Sequence, residues 1–198
     1  MNITALRSSI NYGSNAYLLE SGGEYALVDP SLSPEEMTLD TSRLKYVIIT
    51  HTHFDHILFV DRWINETNAE LLIGIRDEKG LSDPDINCYR RVLGMDKGFV
   101  LPYRTLKQGD TVTLGNESIA VLETPGHTAG SISLVTDDCV IVGDLLFANR
   151  AYGRYDVPGG DFRKLMDSIK KVLSLPGEYK LYPGHGPATT VEKLKNNS

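Results

Sequence analysis

The sequence predicts a mixed α/β (α+β) fold in one domain that spans residues 1–198. Three observations lead to this class. Short apolar runs rich in β-branched and aromatic residues recur along the chain, each bounded by turn residues, as is typical of strands. Segments with the three- and four-residue apolar spacing of helices lie among these runs and after them. The length of 198 residues suits a single domain and allows a sizeable core.

Eight strands are expected from the apolar runs. Turn residues separate them, as in Ser21-Gly22-Gly23 and Asp137-Asp138. The predicted strands are Ala16–Glu20, Tyr25–Val28, Tyr46–Thr50, Leu71–Ile75, Ser118–Thr124, Ile132–Thr136, Cys139–Val142 and Tyr179–Tyr182.

The clearest predicted helix spans Asp161–Leu175, with Asp161 as its N-cap and Pro176-Gly177 after its end. A second helix is expected to begin at Asp55-His56 and to run to about Asn65, and a short one covers Thr190–Asn196. The apolar residues of the clearest helix recur at spacings of three and four: Phe162, Leu165, Met166, Ile169, Val172 and Leu173.

Composition and charge exclude several classes of partner. Twenty Lys and Arg against 26 Asp and Glu give a net charge of −6, which argues against nucleic acid. No apolar stretch approaches the roughly 20 residues of a membrane helix, and the first ten residues lack the features of a secretory signal. The two cysteines, Cys88 and Cys139, do not form a disulfide framework. We therefore expect a cytoplasmic protein that acts on a small molecule, without nucleic-acid or membrane partners.

All five histidines lie in three short segments. Each segment follows an apolar run that is predicted to be a strand, and Asp144 ends a further predicted strand in the same way. Side chains on loops at strand ends are a common way to build a site on a rigid sheet. The histidines are His51, His53 and His56 in the first segment, His127 in the second and His185 in the third.

These residue types are ligands for zinc and other first-row metals. His51 and His53 are two residues apart, so they point the same way in an extended segment. Any one of these residues alone would more often be structural: Asp55 could cap a helix and Asp144 could belong to a turn. The dense cluster favours a metal site. Five histidines and two aspartates exceed one tetrahedral ion and suit two metals about 3.5–4 Å apart that share one carboxylate.

With these motifs the chain resembles the metallo-β-lactamase superfamily, over nearly its whole length. The resemblance implies a four-layer αββα sandwich with the metals at one edge, between the two sheets. Five motifs carry it, in order: Asp29 in LVDP, the cluster THTHFDH (Thr50–His56), His127 in TPGHTAGS, Asp144 in VIVGDLLF and His185 in YPGHG.

The resemblance also implies a role for each residue. His51, His53 and His127 would hold the first of two divalent metal ions, expected to be zinc, with iron or manganese as alternatives. The second ion would lie on Asp55, His56 and His185, with Asp144 bridging the two ions. Asp29 would orient a ligand histidine; alternatively, it initiates a turn before Pro30.

The implied activity is that of a glyoxalase II-like small metallohydrolase, because the bridging Asp144 is typical of that group. A metal-bridging hydroxide, oriented by Asp55 as the catalytic residue, would attack a thioester or a similar activated acyl bond. The segment around Arg154, Tyr155 and Asp156 is similar to the GRxD segment of small relatives of this group and is a candidate substrate-binding site. Arg154 could equally pair with Asp156 or Asp161 as a structural residue.

Departures from glyoxalase II leave glutathione recognition open. Only twelve residues follow Gly186, and Gly186-Pro187 stands where glyoxalase II has Glu-Tyr. An alternative function is a mononuclear-iron persulfide (sulfur) dioxygenase that uses His51, His127 and Asp144. Further alternatives are a lactonase or β-lactamase-like hydrolase and a non-catalytic metal-binding homologue. The protein is expected to be a monomer or a homodimer.

Other residues carry weaker expectations. Phe54 and the segment Tyr89–Tyr103, with Arg90 and Arg91, either line the pocket or pack a loop. Cys139 lies within a predicted strand and is expected to be buried, whereas Cys88 could be exposed.

Overall fold

Two six-stranded sheets pack face to face in the computed structural model, which describes residues 1–196, and helices cover both outer faces. The strands are β1 (Asn2–Arg7), β2 (Asn15–Ser21), β3 (Glu24–Val28), β4 (Leu44–Ile49), β5 (Glu70–Gly74), β6 (Arg104–Leu106), β7 (Thr111–Leu114), β8 (Glu117–Glu123), β9 (Ile132–Val135), β10 (Cys139–Gly143), β11 (Lys180–Pro183) and β12 (Thr189–Thr190). The helices are α1 (Val60–Glu66), α2 (Glu78–Ser82), α3 (Tyr89–Leu93), α4 (Phe162–Leu173) and α5 (Val191–Lys195).

The strand order brings particular strand ends together. The first sheet has the order β1-β2-β3-β4-β5-β6, and β3 to β6 run parallel. The second has the order β12-β11-β10-β9-β8-β7, in which β10 and β11 run parallel and β8 shares their direction through the antiparallel β9. The carboxyl ends of parallel strands lie at the same edge of a sheet. The loops that follow β3 and β4, and those that follow β8, β10 and β11, therefore gather at common edges.

Alternate side chains of a strand face opposite sides of its sheet, one towards the other sheet and one towards the helices. Ile48 of β4 packs between the sheets, whereas its neighbours Val47 and Ile49 face the other side, in a cluster with Trp63 of α1. Successive strand residues point to opposite faces, so a run of apolar residues serves two cores at once. In β10, Ile141 likewise faces the space between the sheets. This arrangement confirms the expected αββα sandwich.

Helix α4 covers the outer face of the second sheet. Its buried residues Leu165 and Val172 pack with Val140 and Val142 of β10. The Asp161 carboxylate accepts a hydrogen bond from the backbone N–H of Lys164 at 3.1 Å, which confirms the expected N-cap.

The eight predicted strands are confirmed, with ends that differ by at most two residues. Strands β1, β6, β7 and β12 and helices α2 and α3 were not predicted. They are short or, in the case of β1, largely exposed, so they lack the continuous apolar runs that predict a strand.

The prediction of a helix beginning at Asp55-His56 is wrong. Phe54–His56 is a single 3-10 turn, and α1 begins only at Val60. A continuous α-helix would need a hydrogen bond from Phe59 N–H to the Asp55 carbonyl. Instead, Phe59 N–H donates to the Pro30 carbonyl at 3.1 Å, and the Asp55 carbonyl accepts from Ser14 N–H at 3.3 Å. Contacts with distant segments thus replace the helical bonds.

The predicted helix Thr190–Asn196 is present as α5, with Thr190 as its N-cap. Over residues 1–196, no helix combines the length and the apolar character that crossing a bilayer demands.

Candidate metal centre

Four loops that follow strands bring seven potential ligands to one place. His51 and His53 lie on the extended segment after β4, and Asp55 and His56 lie in the 3-10 turn that follows it. His127 follows β8. Asp144 comes directly after β10, and His185 follows β11.

Three imidazoles form the first group. Nε2 of His127 lies 2.8 Å from Nδ1 of His53 and 3.1 Å from Nε2 of His51. All three side chains are buried. Tetrahedral zinc with bonds of about 2.0–2.1 Å separates its nitrogen ligands by roughly 3.3 Å, so the spacing is close to that of three ligands of one ion.

A second group lies beside the first. Nε2 of His185 lies 3.0 Å from Oδ2 of Asp55, and Nε2 of His56 lies 3.8 Å from the same oxygen. Asp144 stands between the groups: its Oδ1 is 3.3 Å from His56 Nε2, and its Oδ2 is 3.7 Å from His127 Nε2 and 3.5 Å from His185 Nε2. A single carboxylate therefore contacts histidines of both groups.

Hydrogen bonds on the far side of the rings assign the tautomers. His127 Nδ1 donates to the backbone carbonyl of Arg154 at 2.6 Å, and His56 Nδ1 donates to Oδ2 of Asp29 at 2.8 Å. The Thr50 hydroxyl donates to Asp29 at 2.8 Å, so it accepts from His51 Nδ1 at 3.2 Å. In the neutral rings, each Nε2 then carries a lone pair that points into the cluster.

This set of donor atoms suits cations. Lone pairs on His51 Nε2 and His127 Nε2 face each other, and over residues 1–196 the buried atoms His56 Nε2 and Asp144 Oδ1 have no hydrogen-bond partner. Buried polar atoms without a partner are costly. Metal ions bound by these atoms would remove that cost. The residues therefore fit two divalent cations, one per group.

Burial and the nearby carboxylates shift the pKa values of the histidines in the cluster. Burial lowers the pKa of His51 well below its usual value and that of His53 to about 3, which keeps both rings neutral, as metal ligands must be. Burial also opposes the charged form of His185, but the carboxylates of Asp144 and Asp55 raise its pKa to about 9. The pKa of His56 is likewise raised, since carboxylates outweigh its burial. Both shifts favour the protonated rings, so a metal ion that binds there would compete with protons.

A family model described as the metallo-beta-lactamase superfamily matches residues 10–185. The chain belongs to the metallo-β-lactamase superfamily. A probable metallo-hydrolase of Streptococcus pyogenes serotype M6 is 32% identical over 197 residues, covering 93% of this chain and 84% of that protein. These comparisons support a metal-dependent hydrolase at the level of the superfamily.

Two solved structures of the superfamily are also similar. The crystal structure of BLEG-1 B3 metallo-beta-lactamase is 30% identical with a TM-score of 0.88 and covers 97% of this chain and 95% of that one. A crystal structure of a protein in a di-iron-bound form is 32% identical with a TM-score of 0.83 and covers 100% and 98% of the two chains.

The sequence left two possibilities for Asp29: a turn before Pro30, or a hydrogen bond to a candidate ligand histidine. In the structure, Asp29 forms both. Its backbone is left-handed, with φ of 53°, and its carbonyl accepts from Ser31 N–H at 2.7 Å in a tight turn. Its buried carboxylate accepts from Thr50 N–H at 2.8 Å, from the Thr50 hydroxyl and from His56 Nδ1. Asp29 thus holds His56 directly and His51 through Thr50.

An Asp29→Asn variant is expected to bind zinc about 10- to 100-fold more weakly, since partners behind metal ligands typically contribute that much. The amide has one acceptor oxygen for three donors, and its NH₂ group would face either Thr50 or His56. Zinc titration against a competing chelator measures the change. Asp40→Asn, at an exposed carboxylate on a distant turn, is the matched control. Equal zinc affinity of the Asp29 variant and wild type would contradict this role.

Asp77 is a structural partner of the site that sequence reasoning missed. Its buried carboxylate accepts from Thr52 N–H at 2.8 Å and from Gly130 N–H at 3.0 Å. It therefore ties the loop of His51 and His53 to the loop of His127. Burial raises the pKa of Asp77, in opposition to these hydrogen bonds. No motif marks this residue, because its partners are 25 and 53 positions away.

A cavity of about 250 Å³ opens above the cluster. Ligand pockets typically measure about 300–1,000 Å³, so this one suits a small molecule. The floor is formed by His53, Asp55, His127 and Asp144, and apolar side chains line much of the wall: Phe54, Val92, Phe147, Tyr152 and Val157.

The GRxD segment, a candidate substrate-binding site from the sequence, places one of its three candidate residues at the cavity. The Arg154 guanidinium makes two hydrogen bonds with the Asp156 carboxylate, at 2.9 and 2.7 Å, which is one of the pairings that the sequence left open. Arg154 lines the cavity, whereas Tyr155 and Asp156 are not among its lining residues. Tyr155 packs against Phe162 instead, with ring centroids 5.0 Å apart.

Helix α3 and the residue before it also reach the cavity. Cys88 and Arg91 line it, while Arg90 pairs with Asp85 and Asp96 outside it. The expectation that Cys88 could be exposed is wrong: the residue is 4% exposed, and burial raises the pKa of its thiol. Cys139 is buried, as expected.

Proposed function

We propose that this superfamily member hydrolyses a thioester or a similar activated acyl bond with the help of two divalent metal ions. His51, His53 and His127 would hold one ion, Asp55, His56 and His185 the other, and Asp144 both. The observation that carries this proposal is the position of Asp144 between two complete ligand groups, at the floor of a cavity with apolar walls. An apolar wall beside the ligands suits the hydrocarbon part of an acyl group.

Two bound ions would lower the pKa of a water molecule and polarise an acyl carbonyl, which are the usual contributions of such centres. The residues of the chain orient the reactants. Asp55, on the cavity floor, accepts a hydrogen bond from the attacking water and holds it below the carbonyl carbon. The apolar wall aligns the acyl chain and excludes bulk water. A thiolate is a weakly basic leaving group, so it departs without a dedicated acid.

Nitrogen and oxygen donors in this pattern suit zinc, and iron and manganese are the alternatives. Metal analysis per chain, on protein expressed without added metal, is the first test. We expect about two equivalents, as the two ligand groups require, and hydrolysis of a panel of simple acyl thioesters after zinc reconstitution. The Asp137→Asn protein, altered on an exposed turn, is the control.

Other results would assign another function. A single equivalent of iron, with oxygen uptake in the presence of a persulfide, would identify the dioxygenase. Turnover of a chromogenic β-lactam or a lactone in preference to all thioesters would identify a β-lactamase or lactonase. Two bound zinc ions without turnover of any of these substrates would contradict an enzymatic role in acyl hydrolysis.

Zinc binding is expected to release protons and to strengthen as pH rises. The pKa of His185 is raised to about 9 in the metal-free chain and that of His56 is also raised. At neutral pH the pKa of about 9 keeps a proton on His185, and the raised pKa of His56 favours a proton there as well, so zinc competes with protons at this group. Calorimetric titration in two buffers of different ionisation enthalpy should show release of at least about one proton per chain, with affinity rising between about pH 6 and 9. Binding without proton release would contradict this assignment of charges.

A further inference from the structure

Adjacent arginines on α3 have different surroundings. The Arg90 guanidinium is held by two carboxylates, those of Asp85 and Asp96. Arg91 lines the cavity, and its one hydrogen bond within residues 1–196 is a long contact of 3.4 Å from Nη1 to the backbone carbonyl of Asp156. Over the same residues, no carboxylate lies within ion-pair distance of Arg91. The Asp156 carboxylate feels the charge of Arg91 but forms its hydrogen-bonded pair with Arg154, so the Arg91 guanidinium keeps hydrogen-bond donors for a ligand.

The other guanidinium at the cavity is already neutralised. The guanidinium of Arg154 donates two hydrogen bonds, from Nε and Nη2, to the two carboxylate oxygens of Asp156, in the bidentate geometry that carboxylates favour. A substrate carboxylate would have to displace Asp156 to bind there. Arg91 needs no such exchange, which makes it the better anchor for an anion.

Arg91 is a positive charge in a chain that is negative overall. The chain has a net charge of −6, and the carboxylates of Asp55 and Asp144 lie on the cavity floor. The net charge of the chain repels an anionic substrate, whereas the proposed metal ions and a local cation would attract it. Arg91 provides that cation beside a wall formed by Val92, Tyr152 and Val157, which accepts a hydrocarbon segment.

We propose that Arg91 determines specificity by binding an anionic group, a carboxylate or a phosphate, carried by an otherwise apolar acyl substrate. This inference rests on the proposed acyl hydrolysis for its kinetic consequence. Arg91 is a specificity residue at the rim of the cavity rather than a catalytic one: it positions the substrate and does not contact the reacting bond. The anionic group can lie on the acyl side or on the thiol side of the thioester.

Three thioesters separate these two sources. S-glutaryl-N-acetylcysteamine has a charged acyl group, S-valeryl-3-mercaptopropionate has a charged thiol, and S-valeryl-N-acetylcysteamine is the neutral reference. For the wild-type protein, kcat/KM for one charged substrate is expected to exceed that for the neutral reference by about tenfold, mainly because KM is lower. The effect is of this size because the hydrogen bond between Arg91 and the anionic group is charge-assisted but partly exposed to solvent. Arg91→Gln should abolish the preference by lowering kcat/KM for the favoured charged thioester towards that for the neutral reference. Arg90→Gln, the adjacent matched control, should retain it.

Calorimetric binding to the zinc-loaded protein provides a readout without turnover. The probes are 4-phenylbutyrate and its neutral amide, 4-phenylbutyramide. We expect Arg91→Gln to weaken binding of the acid by about tenfold relative to Arg90→Gln and to leave the amide unchanged. If no thioester is hydrolysed but this difference holds, acyl hydrolysis fails and the anion site stands. If Arg91→Gln and Arg90→Gln show the same preference for the charged thioester and bind 4-phenylbutyrate with the same affinity, the anion site is overturned.

Discussion

An Asp144→Asn variant is expected to lose hydrolytic activity by at least about a hundredfold, because even partners behind metal ligands contribute 10- to 100-fold. Asn has nearly the same volume as Asp, so the fold should be kept. The amide, however, places an NH₂ group where one carboxylate oxygen now lies, either 3.3 Å from His56 Nε2 or 3.7 Å from His127 Nε2, and an NH₂ group cannot bind a metal ion there. It also removes a negative charge that two cations would share. Metal analysis should show fewer than two ions per chain.

Asp137→Asn is the control for this experiment. It makes the same chemical change on the exposed turn that precedes β10, the strand that Asp144 follows. Activity and metal content should match wild type. If Asp144→Asn retained both two metal ions and full activity, Asp144 would not bridge the metals and the binuclear assignment would fail.

A Gly184→Ala variant is expected to fold but to lose metal from the second ligand group. Its Cβ would lie 2.1 Å from Oδ1 of Asp144 and 2.7 Å from Cε1 of His56. Such contacts are far inside van der Waals distance, so the Asp144 side chain must move away from the cluster. We expect metal content to fall towards one ion per chain, and activity to fall at least about a hundredfold.

Gly177→Ala is the matched control, because its Cβ would meet Glu192 at 3.4 Å, an ordinary contact. Neither glycine has a left-handed backbone, so the two substitutions differ in local space rather than in backbone strain. Circular dichroism should report an unchanged fold for both variants. Wild-type metal content in Gly184→Ala would show that Asp144 can move freely without loss of metal.

The prediction of the fold depended on patterns that are local in the chain. Apolar residues at alternate or successive positions of a strand must be buried whatever the partner, so strands such as β3, β4 and β10 were apparent from the sequence. The beginning of α1 was not, because Phe59 N–H bonds to Pro30 and the Asp55 carbonyl to Ser14. Those contacts involve segments more than 25 residues away, and no local pattern encodes them.

The sequence by itself determined the chemistry available to the site. Imidazole and carboxylate side chains placed after strands predicted a cluster of metal-ligand type, and a rigid sheet brings strand ends together. The tertiary structure alone decided how charges within the site are paired. It placed Asp77 between two loops of the candidate metal centre, paired Arg154 with Asp156 and, within residues 1–196, left Arg91 without a carboxylate at ion-pair distance. The physical reason is that ion pairs and hydrogen bonds depend on distances between side chains, and those distances follow from packing rather than from sequence spacing.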